Sequence, residues 1–125
     1  MHSQTVFIVD DDPSVRDALG LLLSLRGYPT AMFASAEDFL AALTHRWRGV
    51  VLADIRMPGM SGLELQAALE PHRPRLPVII ITGHGDVAAA RQALKAHAVD
   101  FLEKPLDDAR LIQAIDQALG GSKQA

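Results

Sequence analysis

The sequence predicts an α/β fold in which five parallel strands alternate strictly with five helices. Two observations support this prediction. Short runs of β-branched or aliphatic residues recur along the chain, and each is followed by a segment whose apolar residues have helical spacing. The strand runs are apolar throughout, which indicates a sheet that helices cover on both faces. We therefore predict a (βα)5 doubly wound sheet with right-handed crossovers.

The first two strand–helix units have recognisable boundaries. The strand predicted over Thr5–Val9 stops at three aspartates, Pro13 suits the first position of a helix, and Gly27 suits the residue just after its end. The second unit is weaker. Its strand covers Thr30–Ala34, and Ser35 is a good N-cap for the helix that follows.

The third and fourth units show stronger strand runs. Val50–Ala53 forms the third strand and ends at Asp54, after which Ser61 can cap a helix. Val78–Ile81 is the most strand-like run in the chain and ends at Thr82. We expect Asp86 to cap the helix that begins after it.

The fifth unit begins with a short strand over Val99–Glu103 that ends at Lys104. Leu111, Ile112, Ile115 and Leu119 then mark the last helix by their spacing. Residues 1–119 are therefore predicted to form one domain, and residues 120–125 have the composition of a linker or a frayed C-terminus.

Composition excludes several classes of protein. The 125 residues are 49% hydrophobic and 22% charged, which is typical of a globular domain. The chain has no cysteine, so disulfides and zinc–thiolate sites are excluded. No apolar run approaches the roughly 20 residues of a membrane helix, and no secretion signal begins the chain, so we expect a cytoplasmic protein without membrane contact. The net charge of −3 and the scattered basic residues indicate that this domain itself binds no nucleic acid.

Polar residues follow the strands at the same end. The first strand ends at Asp10-Asp11-Asp12, the third at Asp54, the fourth at Thr82 and the fifth at Lys104. In open parallel sheets, ligands bind at the carboxyl ends of the strands near the point where the strand order reverses. If the strand order is 2-1-3-4-5, that point lies between strands one and three, which both end in aspartate. The sequence therefore predicts a functional site at this edge.

The residue types at this edge indicate a metal-assisted reaction with phosphate. Clustered carboxylates repel one another unless a cation neutralises them, and oxygen ligands favour Mg²⁺ or Mn²⁺. A carboxylate such as Asp54 is a competent nucleophile for an aspartyl phosphate. Phosphoryl transfer needs mainly positioning and charge stabilisation, which the metal and the Lys104 ammonium would supply. Thr82 would offer a hydroxyl to a phosphoryl oxygen.

These motifs resemble those of response-regulator receiver domains of two-component signalling, and most of all the FixJ-like subgroup. The resemblance covers residues 5–119 and implies a flavodoxin/CheY-like fold with the strand order 2-1-3-4-5. It rests on four motifs in order, namely Val9-Asp10-Asp11, Asp54 followed by Met57-Pro58-Gly59-Met60-Ser61-Gly62, Ile81-Thr82-Gly83-His84-Gly85-Asp86, and Phe101-Leu102-Glu103-Lys104-Pro105.

The resemblance implies a role for each site residue. Asp54 would be phosphorylated by a sensor histidine kinase. Asp10, Asp11, Asp54 and the backbone carbonyl of Arg56 would hold Mg²⁺, and Lys104 would contact the phosphoryl group. The protein would be a regulatory phosphoacceptor and not an enzyme, apart from its self-catalysed phosphotransfer and slow autodephosphorylation.

The resemblance also implies a conformational switch. Thr82 would move towards the phosphate, and the ring of Phe101 would turn inward. The Lys104–Pro105 peptide bond would be cis, and Arg56 and His84 would tune the lifetime of the phosphorylated state.

The family's partners follow from the same resemblance. A phosphorylated receiver of this kind would form a homodimer through the fourth helix and the fifth strand. It would act on DNA through a LuxR-type domain that is missing from this chain, which is either an excised domain or a single-domain regulator.

Three other functions are compatible with parts of this pattern. An aspartyl-phosphate phosphohydrolase would carry a second acid at position 56, which is Arg here. A nucleotide-binding switch would need a Gly-rich loop where three aspartates stand. A protein-interaction module that keeps only the fold would not need the complete residue set.

Some of these residues also have ordinary structural explanations. Asp12 would favour the positive end of the first helix. Phe101 would be a core residue of a short strand, and Lys104 alone would be a solvated lysine. Val87, Ala90, Leu94 and Ala98 form an apolar stripe that favours core over interface.

Overall fold

The computed structural model describes residues 4–83 and 86–120, with the backbone alone for Val87. Its five strands form one parallel sheet in the order β2-β1-β3-β4-β5, as predicted. The strands are β1 (Gln4–Val9), β2 (Thr30–Phe33), β3 (Arg48–Asp54), β4 (Val78–Thr82) and β5 (Asp100–Glu103). The helices are α1 (Pro13–Leu25), α2 (Ala36–Ala42), α3 (Gly62–Ala68), α4 (Val87–Lys95) and α5 (Asp108–Ala118), with a 3-10 turn at Glu70–His72.

Side-chain caps explain where the first three helices begin. Asp12 accepts a hydrogen bond from the Ser14 amide at 2.9 Å and caps α1, which is the structural role expected for it. Ser35 caps α2 in the same way. Ser61 and Glu64 bond each other's backbone amides at the start of α3 and form a capping box.

The prediction that the Asp86 side chain caps α4 is wrong. Asp86 occupies the N-cap position, but its carboxylate bonds no amide of the described helix. It binds the Arg56 guanidinium instead. A contact between residues 30 positions apart therefore replaces the expected local one.

Helices bury both faces of the sheet. On one face α2, α3 and α4 cover a core that includes Phe7, Phe39 and Leu65. On the other face α1 and α5 cover a second core, to which Ile8 and Leu111 belong. Neighbouring residues of β1 belong to opposite cores because side chains alternate along a strand. This two-sided burial explains why the strand runs are apolar throughout.

The apolar stripe on α4 is only partly core. Ala90 and Ala98 are buried as expected, but the Leu94 side chain is 43% exposed, so the assignment of Leu94 to the core is wrong. The side chain of Val87 lies outside the described part of the chain. Among the helices of the described residues, none has the length and apolar character needed to cross a membrane.

The pairing register aligns the carboxyl ends of the central strands. Val9 pairs with Ala53, Asp54 with Ile81, and Thr82 with Glu103. The residues that follow each strand therefore emerge at one edge of the sheet, next to the point where the strand order reverses. α5 ends at Ala118. Residues 121–125, most of the predicted linker or frayed end, lie outside the described residues, and the predicted domain boundary at 119 stays a prediction.

Candidate functional site

Two buried carboxylates and one ammonium meet at the carboxyl edge of the sheet. Lys104 Nζ lies 3.5 Å from Asp54 Oδ2 and 3.6 Å from Asp10 Oδ2. The side chains of Asp10 and Asp54 are 2% and 10% exposed, whereas that of Lys104 is 31% exposed. The ammonium therefore reaches from the open side towards two carboxylates that solvent hardly contacts.

Burial and like charge shift the ionisation of this group. Burial raises the pKa of Asp54, the neighbouring Asp10 charge raises it further, and Lys104 opposes both effects only in part. For Lys104, burial lowers the pKa, but the attraction of Asp54 and Asp10 outweighs it and raises the pKa above its ordinary value. One ammonium thus does not neutralise the two carboxylates, and the site favours a further cation.

The geometry suits a small hard cation. Asp10, Asp11 and Asp54 each offer a carboxylate oxygen, and these oxygens all lie within 4.8 Å of one another. Asp10 Oδ2 is buried and accepts no hydrogen bond from the described residues, although Lys104 Nζ lies 3.6 Å away, so this oxygen can still bind a cation. Oxygen donors in such a cluster fit Mg²⁺ or Mn²⁺ better than a soft metal.

The β1–α1 turn holds Asp10 in place through its other atoms. The Asp12 amide donates to Asp10 Oδ1 at 2.9 Å, and the Arg16 guanidinium donates to the Asp10 carbonyl oxygen at 2.7 Å. The Asp10 amide donates to the carbonyl oxygen of Phe33 in β2 at 3.1 Å. Oδ2 is therefore the Asp10 oxygen left for a ligand, while Asp11 is exposed at the rim.

The backbone after Asp54 is packed too closely for any side chain at Gly62. A Cβ at Gly62 would lie 2.4 Å from the Asp54 carbonyl oxygen. The Gly62 amide donates to the Ile55 carbonyl oxygen at 3.0 Å, and the Ile55 amide bonds the Ile81 carbonyl oxygen. Glycine at position 62 thus lets α3 begin directly against the end of β3.

Arg56 lies on the open side of the site. Its guanidinium binds Asp86 Oδ2 through Nε and Nη2, both at 3.1 Å, and connects the loop after β3 to the start of α4. The Arg56 side chain is 77% exposed. The role of its carbonyl as a metal ligand stays a prediction. His84, the other residue expected to tune the phosphorylated lifetime, lies outside the described residues.

The expected switch residues occupy neighbouring strands. Thr82 is buried at the end of β4, and its hydroxyl donates to the Gly83 carbonyl oxygen at 3.1 Å. Phe101 in β5 is partly buried and packs against the core beneath α2, α3 and α4. The Lys104 amide donates to the Thr82 carbonyl oxygen at 2.9 Å, and the Lys104–Pro105 peptide bond is cis. The structure thus places Thr82 between Asp54 and Lys104 in the sheet.

The same end of the molecule carries an apolar groove beside Lys104. It has a volume of about 420 Å³ and lies between α1 and the segment that follows β5. Residues of both segments line it, including Val15, Ala18, Leu22, Pro105 and Leu106.

Comparison with protein families decides the assignment. The family model described as "Response regulator receiver domain" matches residues 6–116. The chain belongs to this family. The transcriptional regulatory protein FixJ of Rhizobium meliloti (strain 1021) is 48% identical over 118 residues, which cover 94% of this chain and 58% of FixJ. The receiver domain thus spans little more than half the length of that relative.

Two further comparisons agree with the assignment of this receiver domain. The C4-dicarboxylate transport transcriptional regulatory protein DctD of the same organism is 44% identical over 114 residues, covering 91% of this chain and 25% of DctD. The crystal structure of FixJ-N has a TM-score of 0.86 and 48% sequence identity, and the match covers 95% of each chain. The identities support the FixJ-like subgroup, and the superposition confirms the CheY-like fold.

The sequence alone did not reveal several contacts of the receiver domain. Glu37 of α2 accepts a hydrogen bond from the Met60 amide at 2.8 Å. Gln66 of α3 is buried and donates to the carbonyl oxygens of Ala93 and Ala96, both at 2.9 Å. A glutamine on the buried face of α3 indicates that its side chain has a polar partner, but the sequence does not identify that partner.

Proposed function

We propose that this receiver domain accepts a phosphoryl group on Asp54 from a sensor histidine kinase in a reaction that depends on Mg²⁺. The observation that supports it best is the convergence of Asp10, Asp54 and Lys104. The Lys104 ammonium nitrogen lies 3.5 Å from a carboxylate oxygen of Asp54 and 3.6 Å from one of Asp10. A buried pair of carboxylates with an incomplete counter-charge is poorly suited to stability alone, and it matches the needs of phosphoryl transfer.

The proposed transfer forms one bond and breaks another. A carboxylate oxygen of Asp54 attacks the phosphorus, and an O–P bond forms. The P–N bond of the kinase's phosphohistidine breaks, and its electron pair stays on the imidazole nitrogen. The Lys104 ammonium stabilises the charge that collects on the phosphoryl oxygens.

Asp10, Asp11 and Asp54, together with the Arg56 carbonyl, would hold the metal ion. Bound Mg²⁺ supplies positive charge that brings the anionic donor to the carboxylates. Asp10 Oδ2, which accepts no hydrogen bond from the described residues, and the spacing of the three oxygens support this assignment.

We propose that the groove along α1 receives the kinase. It opens directly beside Lys104, and its lining is mainly apolar, which suits a helix of the partner. Ala18→Glu should therefore slow transfer from a kinase at least severalfold, while phosphorylation by a small-molecule phosphodonor stays unchanged.

The output would pass through α4 and β5. Thr82 would turn its hydroxyl from the Gly83 carbonyl oxygen towards the phosphoryl group, and Phe101 would move into the vacated space. Leu94, 43% exposed on α4, would join a homodimer contact formed after phosphorylation. FixJ and DctD are named transcriptional regulatory proteins, and we propose that this receiver controls a DNA-binding domain of the LuxR type.

Intact-mass spectrometry tests the phosphoacceptor proposal. Incubation with a small-molecule phosphodonor and Mg²⁺ should add one phosphoryl group to the native chain and none to Asp54→Asn. Chelation of the metal should abolish the addition. Equal addition to both chains would refute Asp54 as the acceptor, and addition without any divalent ion would refute the metal's role.

A further inference from the structure

A carboxylate from outside the acidic pocket contacts the loop that follows Asp54. Residues 55–61 connect β3 to α3, and we call them the β3–α3 loop. Glu37, in the first turn of α2, accepts a hydrogen bond from the Met60 amide with Oε2 at 2.8 Å. The contact joins residues 23 positions apart.

The loop is shaped to admit this carboxylate. Gly59 has φ +76°, a conformation that favours glycine. A Cβ there would lie 2.5 Å from Glu37 Oε2. Glycine at position 59 thus serves both the turn and the close approach of the Glu37 side chain.

The loop has anchors on both sides of the site. On the α4 side, Asp86 holds it through the Arg56 side chain, which is long and 77% exposed. On the α2 side, Glu37 holds the backbone itself. An anchor on the backbone constrains the neighbouring carbonyl oxygens more directly than one at the end of a flexible side chain.

From this geometry we infer that Glu37 is a positioning residue for the metal site, acting through the β3–α3 loop. The inference rests on the proposed function, in which the Arg56 carbonyl in this loop is a metal ligand. Glu37 binds no metal in this account. It sets the position of the loop before the cation arrives.

Calorimetric titration with Mg²⁺ tests the inference in three variants. Glu37→Ala should weaken Mg²⁺ binding by roughly three- to tenfold, the effect of losing one ordinary solvent-exposed hydrogen bond. Glu37→Gln keeps an acceptor oxygen and should recover most of that affinity. Asp38→Ala removes the same charge from the same helical turn and serves as the matched control, because no contact joins Asp38 to the loop among the described residues.

Kinetics separate positioning from a general structural defect. In Glu37→Ala, the Mg²⁺ concentration needed for half-maximal phosphorylation should rise, and the rate at saturating Mg²⁺ should match that of the native chain. Hydrogen exchange of the Met60 amide, measured by NMR without metal, should accelerate in Glu37→Ala and not in Asp38→Ala.

Three results would overturn the inference. They are unchanged Mg²⁺ affinity in Glu37→Ala, equal losses in Glu37→Ala and Asp38→Ala, and no recovery in Glu37→Gln. A native chain that binds no Mg²⁺ would contradict the proposed function as well. In that case the Met60 amide would still show whether Glu37 holds the loop.

Discussion

Lys104 Nζ and Asp54 Oδ2 lie 3.5 Å apart although the two residues are 50 positions apart in the sequence. β3 delivers the carboxylate and the end of β5 delivers the ammonium, with β4 between them. Because Asp10 shares the same ammonium at 3.6 Å, removal of the lysine would take from two buried carboxylates the one ammonium that lies against both. The pair therefore links stability to function at this edge of the sheet.

We expect Lys104→Met to lower the free energy of unfolding by about 1 to 2 kcal/mol at neutral pH, since two carboxylates lose their shared cation. Mg²⁺ should restore part of the loss by supplying another cation. Urea denaturation with and without the metal measures both effects. Lys95→Met, at an exposed position of α4, is the control and should change little. An equal loss in the two variants would argue against a special role for Lys104.

Asp54→Asn should be more stable than the native chain at neutral pH in the absence of divalent metal. Burial and the Asp10 charge raise the pKa of Asp54 in the folded chain above its ordinary 3.8. Folding therefore favours the protonated form, so the stability that Asp54 contributes is present below its unfolded pKa and is lost as the pH rises through its folded pKa.

The advantage of Asp54→Asn should therefore shrink as the pH falls from neutral through the raised folded pKa of Asp54 towards its ordinary 3.8. Urea denaturation over this range gives the comparison. A native chain that gains stability relative to the variant as the pH rises would contradict the sign of the shift.

Gly62→Ala should destabilise the domain by about 2 kcal/mol or more, because its Cβ would overlap the Asp54 carbonyl oxygen at 2.4 Å. Gly83→Ala lies at the same edge of the sheet, where a Cβ would meet no atom of the described residues within 4 Å, and should change stability by about 0.5 kcal/mol or less. Thermal unfolding of both variants tests the contrast. Similar melting temperatures would show that the backbone relaxes around position 62.

The ion pair between Arg56 and Asp86 should contribute little to stability. The guanidinium is 77% exposed, so a double-mutant cycle with Arg56→Ala and Asp86→Ala should give a coupling of about 0.2 to 1 kcal/mol that weakens in high salt. Denaturation at low and high ionic strength measures it. A coupling that is large and insensitive to salt would indicate a pair shielded from solvent.

The fold was predictable because its signals are local. Strand runs that are apolar on both faces, and caps such as Ser35 and Ser61, need only neighbouring residues to be recognised. β3 differs most from its predicted bounds, since it begins at Arg48 and not at Val50. Its first residues are Arg and Gly, which do not look like a strand, but they pair with Gln4 and Thr5 of β1.

The contacts that the sequence concealed all join residues distant along the chain. Asp86 looks like a helix cap until Arg56 is placed beside it. Glu37 looks like an ordinary acid in the first turn of α2 until the Met60 amide approaches. Clustering of Asp10, Asp54 and Lys104 was predictable because parallel strands bring their carboxyl ends to one edge. The orientation of individual side chains depends on packing that no local pattern encodes.

Identification of the carboxylate that carries the phosphoryl group tests the central claim most directly. Borohydride reduces an acyl phosphate of aspartate to homoserine, which peptide mass spectrometry can locate after phosphorylation with a small-molecule phosphodonor and Mg²⁺. We predict homoserine at position 54 and unmodified aspartate at positions 10 and 11. Homoserine at position 10 or 11, or at none of the three positions, would contradict the assignment of Asp54 as the phosphoacceptor.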